Sequence, residues 1–448
     1  MSVPPEGPDG ADARLSRGAL ATYGALALPL AFAGLPVYLH APDYYATTFG
    51  LSLAALGGVL LALRAVDAVQ DPLIGVLSDR FAAYRRTILL AGAFLLMAGF
   101  AGLFSPSRFA VAGLTEQTGL LVWFALNVFV CTTGYSIVTI NYQALGGLWR
   151  TSSSGRTRIT AMREALGLGG ILAASILPTV LANRYDAAAA FQIVTLVLAV
   201  LLAAGGIIFF RWYDAARLSR PDRAAGLPGT RSLPGILRSR WGRRFYGIFF
   251  VSNFASAIPA VLVLFYIRDR LAAAEWTGLF LLVYFLSGAL SMPVWLAVAR
   301  RAGKAKAWGI SMIVALATFV WAFTLGPGDI VPFAIVCVLS GAALGADLAL
   351  PPAMVADRIA AAKDQSRAAS YFSAAAFCAK ASFALATGLS LPLLDGLGYT
   401  PGVQAKAGVA TSLSTVYALI PCAIKIVAAV WLLRSLDLFS EDPITGKS

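Results

Sequence analysis

Residues 51–86 read LSLAALGGVLLALRAVDAVQDPLIGVLSDRFAAYRR. The opening thirteen carry no charge, and the run stays largely apolar to Leu77 before it ends in Asp79, Arg80, Arg85 and Arg86. A helix crossing hydrocarbon needs about 20 such residues. Within that span an ionisable side chain costs roughly 2.5–3.5 kcal/mol, so Arg64, Asp67 and Asp71 mark function. Their spacing of i, i+3, i+7 puts all three on one helix face. Two carboxylates one turn apart resist joint ionisation in a dry site: one holds a proton, or a cation sits between them. A small cation prefers hard oxygen ligands. A static ion pair of Arg64 with Asp67 is the structural alternative, and it leaves Asp71 over.

The whole chain repeats this apolar pattern. It has 448 residues, 59% hydrophobic and 13% charged, with a mean hydropathy of +0.76. That apolar surplus exceeds what a globule can enclose. The runs are long and rich in Leu, Ala and Gly, which selects helices over a barrel. The spacing predicts twelve spans, over 19–40, 51–77, 87–105, 119–147, 164–183, 188–210, 245–267, 277–299, 307–325, 331–355, 370–394 and 413–434. The fold class expected is an all-α membrane protein of two six-helix bundles.

Loop charge sets the orientation. The net charge of +13 is mostly arginine and sits in short loops, as topology demands, which argues against nucleic-acid binding. With both termini in the cytoplasm of a bacterial inner membrane, the inside holds Arg80, Arg85, Arg86, Arg150, Arg156 and Arg158, while Arg108, Arg184 and Lys406 are among the few cations outside. Residues 211–244, with nine Arg against Asp214 and Asp222, form a basic cytoplasmic central loop. The division expected is an N-tail 1–18, a first bundle 19–210, that loop, a second bundle 245–434 and a C-tail 435–448. The polar N-tail lacks the apolar core of a cleavable signal, so the first helix is expected to persist.

Six plus six helices around a basic loop is the layout of major-facilitator transporters, which rock two halves about a midplane site. Gly75, Asp79, Arg80, Arg85 and Arg86, at the turn between the second and third spans, match the shape of their gating loop, a charge latch. Positive-inside charge alone explains the arginines but not Gly75 or Asp79. No Walker-type phosphate loop occurs, which argues against a nucleotide-driven pump. The four cysteines form no C-x-x-C pair, so no metal site or cofactor is expected. An intramembrane enzyme would need a nucleophile–base pair or metal ligands, and the single histidine, His40, ends the first span.

RAVDAVQDPLIGVLSDR (64–80) resembles the second helix of the glycoside–pentoside–hexuronide:cation symporters, the melibiose-permease-like family. The likeness continues through GYSIVTINYQALGGLWRTSSSGRTRITAMREALGLGG (134–170), with Arg156, Arg158 and Arg163 where the family has its helix 4–5 loop. Lys380 is similar to the family's membrane lysine. The resemblance implies cation coordination, of H⁺ or Na⁺, by Asp67 and Asp71. It adds Ser136 for the helix 4 hydroxyl and Thr139 where the family pattern has a carboxylate. It implies a small polar solute such as a glycoside. Two features depart from it: the first helix has no acid, and Gln143 stands at the sugar-stacking Trp. Both favour the alternative, a lysolipid-like amphipathic substrate carried by a related branch.

Substrate-lining candidates are Tyr135, Asn141, Tyr142, Gln143, Arg163, Asn253 and Tyr284. Asn141, Tyr142 and Gln143 are adjacent and cannot all face one cavity. Asp347 precedes Pro351 and Pro352, a broken span of the kind tolerated beside a cavity. With Arg64 and Lys380 it makes a candidate charge network, Asp347 pairing with Lys380. Lys425 shows no obvious partner. Solute, cation and lipid are the partners expected, and the protein is expected to act as a monomer.

Overall fold

A computed structural model describes residues 15–106, 116–182, 184–216, 218–219, 232–397 and 407–440. Arg108, Lys406, most of the expected tails and residues 217 and 220–231 of the expected central loop lie outside them. Twelve long helices account for nearly all described residues. They are α1 (Arg17–Phe49), α2 (Leu53–Arg80), α3 (Arg85–Leu103), α4 (Glu116–Leu148), α5 (Ser153–Ala182), α6 (Ala187–Ala215), α7 (Arg240–Arg270), α8 (Thr277–Ala302), α9 (Lys304–Thr324), α10 (Ile330–Ala361), α11 (Ala368–Gly396) and α12 (Thr411–Leu433). Eleven are long and apolar enough to cross a membrane. α2 is long enough, at 28 residues, but its five charged side chains set it apart. Among the described residues β structure is limited to one bridge, Trp149 to Leu218.

Two helices differ from the sequence expectation for physical reasons. α1 was expected to stop at residue 40. Instead a π-helical turn at Pro36–His40 absorbs Pro36, and the helix runs on to Gly50. There φ of +70° ends it, the Gly50 N–H donating to Ala46 O. α5 was expected from residue 164 but starts at Ser153. The Ser152 hydroxyl accepts the Gly155 N–H at 3.0 Å, a cap that the Ser/Thr-rich stretch supplies. Arg156, Arg158 and Arg163 therefore sit on helix, not loop.

The chain forms two compact units: Met1–Ser232 with Ala362–Ala374, and Leu233–Ala361 with Ala375–Ser448. In the first, α3 and α4 touch backbone to backbone. A Cβ on Gly134 would lie 2.2 Å from Leu96 N, and one on Gly99 2.4 Å from Cys131 N, so small residues permit the approach. Tyr23, Tyr142, Trp149, Phe209 and Trp212 form its aromatic core. In the second, Tyr266 and Tyr417 stack at 4.0 Å beside Phe333. Large apolar side chains such as Phe94, Val69, Leu196 and Leu290 stand exposed, as a lipid-facing exterior requires.

Candidate functional site

Asp67 and Asp71 are both buried, 6% and 0% exposed, on α2 in the first unit. Ser136 of α4 donates its hydroxyl to Asp67 Oδ1 at 3.1 Å. Gln70 donates to the same oxygen at 2.9 Å, and Thr133 braces Gln70 at 3.1 Å. Tyr135 lies beside Thr139 and within electrostatic reach of both carboxylates. The Arg64 guanidinium lies over the Tyr38 ring at 4.8 Å, tying α2 to α1. The structure thus gathers Arg64, Asp67, Asp71, Tyr135, Ser136 and Thr139 into one region where α1, α2 and α4 meet. Hydroxyls, an amide and carboxylates supply the hard oxygens a proton or small cation takes.

The latch residues divide. Asp79 is buried and acts as a cap for α11. Its Oδ1 accepts the Ala369 N–H at 2.9 Å and Arg85 Nη2 at 3.3 Å. Its Oδ2 accepts the Ser370 N–H and the Ser370 hydroxyl, both at 2.7 Å. First-turn N–H groups lack intrahelical acceptors and carry the positive end of the helix dipole, so a carboxylate suits them. Gly75 is needed one turn earlier, because a Cβ there would fall 2.1 Å from Ser373 Oγ. Arg86 instead pairs with Asp214 of α6 at the surface, at 3.2 Å, and Arg80 is exposed beside Phe81. The motif is one buried clasp, Gly75–Asp79–Arg85, plus two surface arginines.

In the second unit Asp347 binds Lys425, at 2.9 Å from Oδ2 to Nζ, and Trp308 Nε1 donates to its Oδ1 at 2.7 Å. This corrects the expected Asp347–Lys380 pair. α10 and α12 carry the pair, and Lys380, half-buried on α11, is no part of it. Lys425 also donates to Ser252 and Ser256 of α7, each at 2.9 Å.

The substrate-lining candidates scatter. Asn141 is fully buried and donates to Ser78 and to Ile137 O. Tyr142 is buried and exchanges hydroxyl-to-carbonyl bonds with Tyr23 at 2.8 and 3.1 Å. Both are buried in the first unit, Tyr142 with its hydroxyl bonded to Tyr23 O and Asn141 with its amide nitrogen bonded and its Oδ1 without a hydrogen-bond partner. Tyr135, Gln143 and Asn253 are half-buried, although Asn253 donates to Phe249 O. Arg163 donates Nε and Nη2 to the single oxygen Glu164 Oε1, and Tyr284 lines a cavity in the second unit. The sequence reading missed Glu164, Ser370, Trp308 and the serines around Lys425. Glu164 had a visible signal, an acid directly after a basic run.

Comparison with known proteins identifies the scaffold. A family model described as MFS/sugar transport protein matches residues 20–438. The inner membrane symporter YicJ of Escherichia coli (strain K12) is 24% identical over 273 residues, 58% of this chain and 56% of that one. YagG of the same organism, provisionally described as a glycoside/cation symporter, is 30% identical over 135 residues, 30% of this chain and 28% of that one. The chain thus spans about half the length of YicJ and less of YagG. Among solved structures, an outward-facing bacterial homologue of the iron transporter ferroportin superposes with a TM-score of 0.72 at 16% identity, covering 93% of this chain and 99% of that one. The E. coli fucose:proton symporter FucP gives 0.64 at 15%, covering 93% and 97%. These two likenesses show the fold. The relatives are transporters, not enzymes, and the intramembrane-enzyme alternative falls with that. With the fold and the match over most of the chain in agreement, this multi-pass helical membrane protein belongs to the MFS/sugar transport protein family of the major facilitator superfamily.

Proposed function

We propose that the protein is a secondary transporter of the glycoside–pentoside–hexuronide:cation type, driven by H⁺ or Na⁺ and moving a small polar solute by alternating access. The observation that carries this reading is the burial of Asp67 and Asp71 one turn apart on α2, with Ser136 donating to Asp67. Like charges so close favour uptake of a cation or proton. Thr139 completes the cation shell and Arg64 tunes its charge, while Lys380 is a charged candidate of the second unit. Among the candidates for solute, Tyr135, Gln143 and Arg163 stand in the first unit and Asn253 in the second. The Gly75–Asp79–Arg85 clasp gates the cycle. Loop arginines support a bacterial inner-membrane orientation with both ends cytoplasmic, and the working unit in this reading is a monomer.

Uptake into proteoliposomes tests the coupling role. With a cation gradient, Asp71→Asn is expected to lose accumulation while retaining solute exchange. Accumulation at the unsubstituted level would overturn the assignment.

A second reading rests on the absence of any acid in residues 19–40 and on Gln143, which together remove groups a sugar would use. It makes the substrate an amphipathic, lysolipid-like molecule. Competition of uptake by lysolipid, but not by glycosides, would favour it.

A further inference from the structure

The second unit holds a half-open cavity of about 160 Å³ between α7, α8, α9, α10 and α12. A void of that size in an apolar setting admits one benzene-sized body. Phe280, Phe285, Phe319, Phe333 and Val336 supply apolar walls, and Asp347 with Lys425 is the only charged pair lining it. An ammonium has three protons to donate. Lys425 spends them on Ser252, Ser256 and Asp347, each at 2.9 Å. A carboxylate has about four lone-pair positions. Asp347 uses one toward Trp308 and one toward Lys425, and it is the more exposed of the two, 23% against 6%. Acceptor capacity therefore remains, while donor capacity is spent. Tyr284 and Tyr417 also line the cavity.

We infer that this cavity is a binding site for a compact, uncharged amphiphile: a single ring-sized apolar body with one hydroxyl that donates to Asp347 and accepts from a tyrosine. The Asp347–Lys425 pair is neutral as it stands. A ligand of either charge would leave a net charge in an apolar chamber, which is costly. A sugar has more hydroxyls than these walls can satisfy, and each unsatisfied one opposes entry. The site does not depend on the cation role of Asp67 and Asp71.

The test is fluorine NMR of purified full-length protein in detergent micelles, titrated with 4-fluorobenzyl alcohol. The expected result is a saturable bound signal, absent in Ala260→Phe, where an exposed cavity-lining residue is enlarged without repacking a core. Tyr417→Phe, which removes one hydrogen bond and keeps the ring, is expected to weaken binding roughly fivefold. 4-Fluorobenzylamine and 4-fluorobenzoate are expected to bind more weakly than the alcohol. No saturable signal, or one unchanged in Ala260→Phe, would mean micelle partitioning and would sink the site. Equal or tighter binding of either charged analogue would overturn the charge argument.

Discussion

The first unit buries two carboxylates one helical turn apart, while the second sets a half-buried carboxylate against a buried ammonium. Each unit places its buried charge on a long helix and surrounds it with serines and aromatics. The difference lies in the sign of the neighbour. An acid beside an acid is poised to take up a cation, whereas an acid beside a lysine already holds one as part of the protein. On the proposed function, the same cost of burying charge serves an exchangeable site in one unit and a permanent brace in the other.

Substitutions can break that contrast. The largest expected effect is Lys425→Met, which strands a half-buried carboxylate and costs up to the roughly 3–5 kcal/mol of a fully buried one. It is read as a fall in thermal unfolding temperature, and adding Asp347→Asn should recover most of it. An unchanged transition would remove the brace from the picture. Next is Asp79→Asn, which weakens charge-assisted bonds worth about 1.5–3 kcal/mol each. It should slow the transport cycle and leave solute affinity nearly intact. An affinity loss as large as the rate loss would count against a clasp. Ser136→Ala should cost about 1 kcal/mol and raise the cation concentration for half-maximal uptake severalfold, and an unaltered cation dependence would take Ser136 out of the site. The smallest change in stability is expected for Asp71→Asn, within about 1 kcal/mol, because neutralising one of two like charges relieves repulsion. A loss as large as that of Lys425→Met would make the two regions alike and erase the distinction.

Much of this was legible in the chain. Apolar runs fixed the number of spans, because hydrocarbon thickness leaves little freedom in helix length. The buried face of α2 was legible from its i, i+3, i+7 spacing. Partners were not. Asp79 finds Ser370 across 291 positions and Lys425 finds Asp347 across 78, and no local pattern encodes such distances. Nor were the partners of Asn141 and Tyr142 legible: Ser78 and Tyr23 lie 63 and 119 positions away. The start of α5 was missed because its arginines read as loop charge, although the serine cap stood in plain view.

The clasp on α11 carries a consequence for watching the protein at work. The amide protons of Ala369 and Ser370 are held by a side chain from α2 and not by their own helix. Their exchange with deuterated solvent is therefore a gauge of how often Asp79 lets go. Slow exchange would report a fastened state and rapid exchange a released one, so two backbone hydrogens can time the proposed gate without any label on the solute.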